Sequence, residues 1–187
     1  SEFNNLQFKL LGNDLESIFL PSCVVIVEGP SDFIYFPQLI ENSFTNRRIS
    51  VVKAYGDGGV IERLHLLRDS LGDLQKGPFA QRILIVLDKN HSTSHADIQN
   101  FGIQPEHIVI LDKNGIEYYY PPEIFSQVFG TTDLKNLILR GSQIELNGIV
   151  RKKVELAQEV AKKLTAESQV HKEIKDKILK KIRNILN

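Results

Sequence analysis

The chain of 187 residues contains no methionine, no tryptophan and a single cysteine. One cysteine excludes a disulfide framework within the chain, and Cys23 stands inside an apolar run, where a thiol behaves as a small hydrophobe. A reducing, cytoplasmic setting is therefore expected. No apolar run approaches the roughly 18–20 residues that a membrane span requires, so no membrane partner is expected. No signal-peptide pattern is seen. There is no GxxxxGK[ST] loop, and "YGDGGV" is not a dinucleotide fingerprint, which leaves this stretch without a nucleotide-binding loop of its own. The missing methionine, with a leading "SEF" that reads as a cloning remnant, leads us to expect a domain excised from a longer protein.

Net charge is also lacking: 23 Lys and Arg balance 23 Asp and Glu. The balance hides an asymmetry. Residues 1–150 hold 12 basic and 18 acidic side chains, whereas residues 151–187 hold 11 and 5. An acidic body beside a basic tail suits a metal site next to a polyanion contact, and equally suits a solvated helix face. Hydrophobic residues make up 42% and charged residues 25% of the chain, the balance of a globular domain with a sizeable core.

Four runs rich in Val and Ile stand out: "CVVIV" (23–27), "ISVVKAY" (49–55), "RILIVLD" (82–88) and "HIVILD" (107–112). Continuous apolar runs of this length fit strands buried on both faces. Segments of helical spacing separate them. "SDFIYFPQLIENSF" offers Ser31 or Asp32 as an N-cap. "GGVIERLHLLRDSLG" lines up Val60, Leu64, Leu67 and Leu71 and stops at Gly72. A short helix is expected around "SHADIQNFG". This alternation predicts an α/β fold with a parallel, mainly four-stranded sheet flanked by helices. Beyond residue 112, Pro121 and Pro122 forbid one long helix. "VRKKVELAQEVAKKLT" and "VHKEIKDKILKKIRNIL" predict two further helices. The expected organisation is a lead-in over 1–22, helical or extended, a domain over 23–130 and a basic helical extension over 131–187.

Sites in parallel α/β sheets form beyond the C-terminal ends of the strands. Glu28 follows the first strand, "GDGG" (56–59) the second, Asp88 the third, and Asp112 ends the fourth, with Glu117 just beyond. If the first and third strands are neighbours, Glu28, Asp32 and Asp88 converge. Crowded carboxylates repel unless a cation neutralises them, and Mg²⁺ or Mn²⁺ does so with oxygen ligands. The plainer reading leaves Asp32 and Asp88 as helix and loop caps.

These residues also carry a resemblance. "VVIVEGPSDFIYF" resembles the first motif of Toprim domains, a strand ending in Glu-Gly with an acid four residues after the glutamate. "ILIVLDKN" resembles the second, a strand ending in Asp-x-Asp, and "KAYGDGG" resembles the glycine-bearing turn between them. "NGIEYYYP" and "KKVELAQEVA" are similar to later segments of the overcoming-lysogenization-defect (OLD) family nucleases. The resemblance spans residues 23 to about 165. It implies a DNA endonuclease using Mg²⁺ or Mn²⁺ at two sites, with Glu28, Asp32, Asp88, Asn90 and Glu117 as metal ligands. Glu28 then serves near the attacking water, and Lys153 stabilises charge on the scissile phosphate. It further implies DNA as partner, an ATPase domain elsewhere in the full-length chain, a homo-oligomer and a role in phage defence. Asn90 departs from the pattern, because the family has an acid there. Lys89 stands where it can offset negative charge, and Asp97 is either a replacement acid or a helix cap. A catalytically degenerate Toprim domain acting as a regulatory or interaction module is the competing expectation, and a primase or topoisomerase fragment a third.

His91 and His95, four residues apart, lack a third ligand for zinc. Tyr118, Tyr119 and Tyr120 read as packing rather than as a nucleophile. The "GDGG" turn offers backbone to a phosphate, or is simply a turn.

Overall fold

The computed structural model describes residues 21–45, 47–55 and 58–187. The lead-in over 1–20, and Gly56 and Asp57 of the "GDGG" turn, lie outside the described residues. Four strands form one all-parallel sheet: β1 (Cys23–Val27), β2 (Ile49–Lys53), β3 (Ile83–Leu87) and β4 (Ile108–Ile110), in the order β2-β1-β3-β4. The central strands β1 and β3 are buried at every residue, which is why they read as unbroken Val, Ile and Leu runs.

Helix α1 (Pro30–Ser43) lies on one face of the sheet, and α2 (Gly59–Leu71) and α3 (His95–Gln99) on the other. The N-cap of α1 is Gly29, not Ser31 or Asp32. Pro30 takes the first helical position, where its missing N–H costs nothing, and Asp32 reaches back from the first turn. Pro37 falls inside α1 and leaves the Phe33 carbonyl without its helical donor. In α2, Val60 and Leu64 are buried, Leu67 and Leu71 pack against the same core, and Gly72 ends the helix, as the spacing predicts.

The segment after residue 130 differs from the predicted helical extension. A three-stranded antiparallel sheet forms first: β5 (Ile138–Arg140), β6 (Gln143–Leu146) and β7 (Ile149–Lys152). Residues 150–152, expected at the start of a helix, are strand. The cause is the hairpin at Asn147-Gly148, where both residues have positive φ, 52° and 76°. Asn-Gly favours the tight turn that matches strand twist, and pairing with β6 prevails over helical spacing.

Helix α4 (Pro122–Phe129) precedes this sheet, and α5 (Lys153–Lys163) follows it. A π-helical stretch (Ile174–Leu179) then leads into α6 (Lys180–Leu186). Leu156, Ala157, Val160, Ile174, Ile178 and Ile182 are buried in the same core as Cys23, Val25 and Val27. The C-terminal helices therefore close the α1 face of the sheet and are built into the domain. Among the described residues, no helix is long and apolar enough to cross a membrane.

Candidate functional site

The strand order places a switch point between β1 and β3. From there the chain leaves to opposite sides, β1 through α1 to β2 and β3 through α3 to β4. A crevice opens beyond the carboxyl ends of two such strands. Glu28 follows β1 on one side and Asp88 follows β3 on the other. They meet: the Asp88 backbone N–H donates to Glu28 Oε2 at 2.6 Å. Asp32 stands one helical turn into α1, its Oδ2 accepting from the Gly29 N–H at 2.8 Å. Glu117 enters from the 3₁₀ turn Ile116–Tyr119 and is only 2% exposed.

The electrostatics show that these side chains share one space. Burial pushes Asp32 well above the usual carboxylate range, and the charges of Asp88, Glu117 and Glu28 add to it. Burial likewise lifts Asp88 to about 6, with Glu28 and Glu117 adding to the rise. Two groups oppose that rise: the Gly115 backbone N–H and the Lys153 ammonium. Lys153 is the first residue of α5 and is anchored by its own N–H to the Ser142 carbonyl at 2.9 Å. Four carboxylates and one cation named from the sequence are thus brought together. Asn90 sits exposed in the turn closed by the His91 N–H and the Asp88 carbonyl.

Two glycines fit closely around the cluster. A Cβ on Gly29 would stand 2.5 Å from Asp32 Oδ2. A Cβ on Gly115, at φ +127°, would meet Glu117 Oε2 at 2.6 Å and Leu139 Cδ1 at 2.8 Å. Both carboxylates are therefore packed against bare backbone. Beneath them lie Tyr35 and Tyr120, with ring centroids 5.1 Å apart. Burial, then Glu117 and Asp32, drive the Tyr120 hydroxyl far up. The aromatic run signalled only packing, and Gly115 could have been noticed as the glycine before Glu117.

Other sequence candidates fall elsewhere. Asp97 lies in the first turn of α3, capped by Ser94, and lines a groove with His65 and Arg68 on the α2 side. Lys89 is exposed, and after Lys177 its charge helps to hold Asp112 below the usual carboxylate range. Asp112 itself is held by Lys177 at 2.8 Å. The rings of His91 and His95 stack at 5.2 Å, and His91 Nδ1 lies 3.1 Å from the Thr93 carbonyl. Tyr119 is buried, its hydroxyl accepting from the Lys113 N–H at 2.8 Å. Several basic residues of the C-terminal stretch face the protein body: Lys177 bonds Asp112 and Glu173, Lys181 the Glu106 carbonyl, and Arg183 lies over Phe44.

Among the described residues, no three His, Cys, Asp or Glu side chains stand close enough to hold one ion together. An ion here would take at most two carboxylates, with water filling its remaining positions. That is the habit of Mg²⁺, which binds through one or two carboxylates and keeps several waters. The all-oxygen donor set, and the burial and mutual repulsion that raise Asp32 and Asp88, fit such a cation.

No curated protein and no solved structure matches the chain significantly. A family model does match: that of the overcoming lysogenization defect protein-like TOPRIM domain, over residues 19–73. The matched stretch runs from β1 through α2 and includes Glu28 and Asp32, while Asp88, Glu117 and Lys153 come from outside it. Over that stretch the chain is similar to the TOPRIM domain of the OLD-like kind, and the four-stranded parallel sheet with flanking helices is consistent with that fold.

Proposed function

We propose that this domain hydrolyses phosphodiester bonds in DNA with the help of Mg²⁺ or Mn²⁺. The observation that carries the reading is the gathering of Glu28, Asp32, Asp88 and Glu117 at the β1–β3 switch point, with Lys153 as the adjoining cation. Bound divalent ions would supply an activated water and charge stabilisation at the leaving oxygen. Glu28 and Asp88 would hold them at the crevice, supported by Asp32 and Glu117. Asp32 is fixed by the Gly29 N–H, so its carboxylate is oriented before any ligand arrives. Lys153, anchored at the start of α5, would stabilise negative charge on the scissile phosphate. Glu28 would accept the proton of the attacking water.

In this reading the domain belongs to an ATPase-nuclease whose ATPase part lies elsewhere in the parent protein. Phage defence and a homo-oligomeric state go with the same resemblance, and a cytoplasmic setting with the single cysteine. Exposed basic residues of α5 and α6 would contact the DNA backbone without reading sequence.

Asn90 favours a second reading, because an exposed amide brings no charge to a site where the family pattern has an acid. The domain would then be a regulatory or interaction module. Supercoiled plasmid incubated with the protein and Mn²⁺ decides between them. Nicked or linear product that is lost in Asp88→Asn supports the nuclease. No product at millimolar Mn²⁺, and no calorimetric binding of Mn²⁺, supports the module.

A further inference from the structure

A patch outside the carboxylate cluster combines exposed aromatic rings with cations. Tyr55, just beyond the end of β2, is 62% exposed, and Phe33, directly after Asp32 in α1, is 41% exposed. The Lys53 ammonium lies 4.3 Å from the Tyr55 ring centroid and 6.0 Å from that of Phe33. The Arg63 guanidinium lies 4.8 Å from the Tyr55 centroid, and its Nε donates to the Lys53 carbonyl at 2.9 Å. Among the described residues, neither Lys53 nor Arg63 forms a salt bridge, so both charges are available to a polyanion. Among the described residues β2 is an edge strand, with no further strand paired on this side.

The position relative to the cluster is fixed by register. Lys53 pairs with Val27, and the Ala54 N–H donates to the Val27 carbonyl at 2.7 Å. The end of β2 is thus tied to the end of β1, and Tyr55, the residue after Ala54, lies at the sheet end that carries Glu28. A cleft of about 650 Å³ between α1 and the β2 edge, lined by Phe33, Pro37, Phe44, Arg47 and Val51, opens from the same patch.

An exposed ring under a lysine is commonly plain surface packing. Here two exposed rings and two cations without salt bridges adjoin a phosphodiester site, and that is the chemistry that holds unpaired nucleotides. Rings stack on bases and cations track the backbone. We propose that Tyr55 and Phe33, flanked by Lys53 and Arg63, are a stacking platform for unpaired bases of a single-stranded DNA segment passing the carboxylates. The proposal rests on the nuclease reading for its substrate and adds that the substrate is single-stranded or frayed at the site.

Binding in EDTA separates the two readings, because no cleavage is involved. Fluorescence anisotropy would compare a labelled oligo-dT with a blunt hairpin duplex, and an oligonucleotide bearing 2-aminopurine would report stacking by quenching. The wild type binds the single strand more tightly and quenches 2-aminopurine. Tyr55→Ala weakens single-strand binding by about tenfold, removes the quenching and leaves duplex binding unchanged. Tyr55→Phe retains both. Thermal melts by circular dichroism check that Tyr55→Ala, at an exposed position, stays folded. Equal loss on single strand and duplex, no effect of Tyr55→Ala, or no single-strand binding by the wild type overturns the platform. An Asp88→Asn protein that still cleaves overturns the nuclease reading and leaves the platform intact.

Discussion

The backbone N–H of Asp88 donates to the Glu28 carboxylate at 2.6 Å, tying the end of β3 to the end of β1 across the crevice. Glu28 therefore has two effects on stability that oppose each other. Its charge repels Asp88 and Asp32, and its oxygen satisfies a backbone donor. Glu28→Gln keeps an acceptor and removes the charge. In metal-free buffer near pH 7.5 it is expected to stabilise the fold by about 1 kcal/mol while abolishing Mn²⁺-dependent cleavage. Glu28→Ala removes both, and the unsatisfied donor costs about 1–3 kcal/mol against the relieved repulsion. Urea denaturation of the two variants in EDTA checks the order: Gln most stable, Ala no better than wild type.

Stability should also depend on pH in an unusual direction for carboxylates. Burial lifts Asp88 to about 6 and also raises Asp32 well above the usual carboxylate range. A carboxyl raised in the folded state holds its proton where the unfolded chain has lost it. The stabilisation is complete below about pH 4 and is lost as pH rises through the folded value, for Asp88 from about 4 to about 6. For Asp88 alone the change is on the order of 3 kcal/mol. The denaturation midpoint in EDTA should fall over that window. Millimolar Mn²⁺ should reverse the fall above pH 6, because the cation favours the ionised carboxylates. A midpoint that rises from pH 5 to 7 in EDTA would contradict the repulsion described here.

The strands and the acids at their ends were legible in the sequence, because strands buried on both faces leave continuous Val and Ile runs and three of the four runs close on a carboxylate. Their convergence was conditional on β1 and β3 being neighbours, which no local pattern encodes. Gly29 as the cap of α1 was missed, since Ser31 and Asp32 are stronger capping types and only the backbone path shows Asp32 reaching back. The β5–β7 sheet carried a signal that was passed over. "QIELNGIVRK" has Asn-Gly between two short strands, but the helical spacing of "VRKKVELAQEVAKK" overshadowed it. Tyr55 and Phe33 gave no local signal at all, because exposure and adjacency are properties of the folded edge.

Asn90→Asp tests whether the missing acid limits metal binding. An added carboxylate in the Asp88–His91 turn brings charge to the mouth of the crevice. Calorimetric titration is expected to show Mn²⁺ affinity raised by about tenfold over the wild type, since ligand charge is a main determinant of affinity at such sites. Asp88→Ala should lose binding in either background. Unchanged affinity in Asn90→Asp would mean that the turn does not face the ion.

The two close-fitting glycines separate site geometry from backbone strain. Gly29→Ala puts a methyl group against Asp32 Oδ2 at a φ of −101°, which any residue adopts. It should displace the carboxylate and lower cleavage strongly, with a stability change under about 1 kcal/mol. Gly115→Ala adds backbone strain at φ +127° to clashes with Glu117 and Leu139. That change is expected to cost at least about 1–3 kcal/mol as well as activity. Equal stability losses in the two variants would count against the difference in strain.

The C-terminal helices are predicted to be inseparable from the sheet. Ile178 and Val160 are fully buried and share a core with Val25 and Val27. Ile178→Ala removes buried methylenes with little room to collapse, and should cost about 2–5 kcal/mol. By the same argument, a chain ending at Gly130 uncovers the core that α1 shares with the C-terminal helices, including Leu39, Tyr35 and Phe36, and should not fold cooperatively. If such a truncated chain melts in one sharp transition near that of the whole protein, the helices are an appendage after all. If it does not, the anchoring of Lys153 at the start of α5 depends on the same core burial that holds the fold. Stability and catalytic geometry then fall together when that core is weakened.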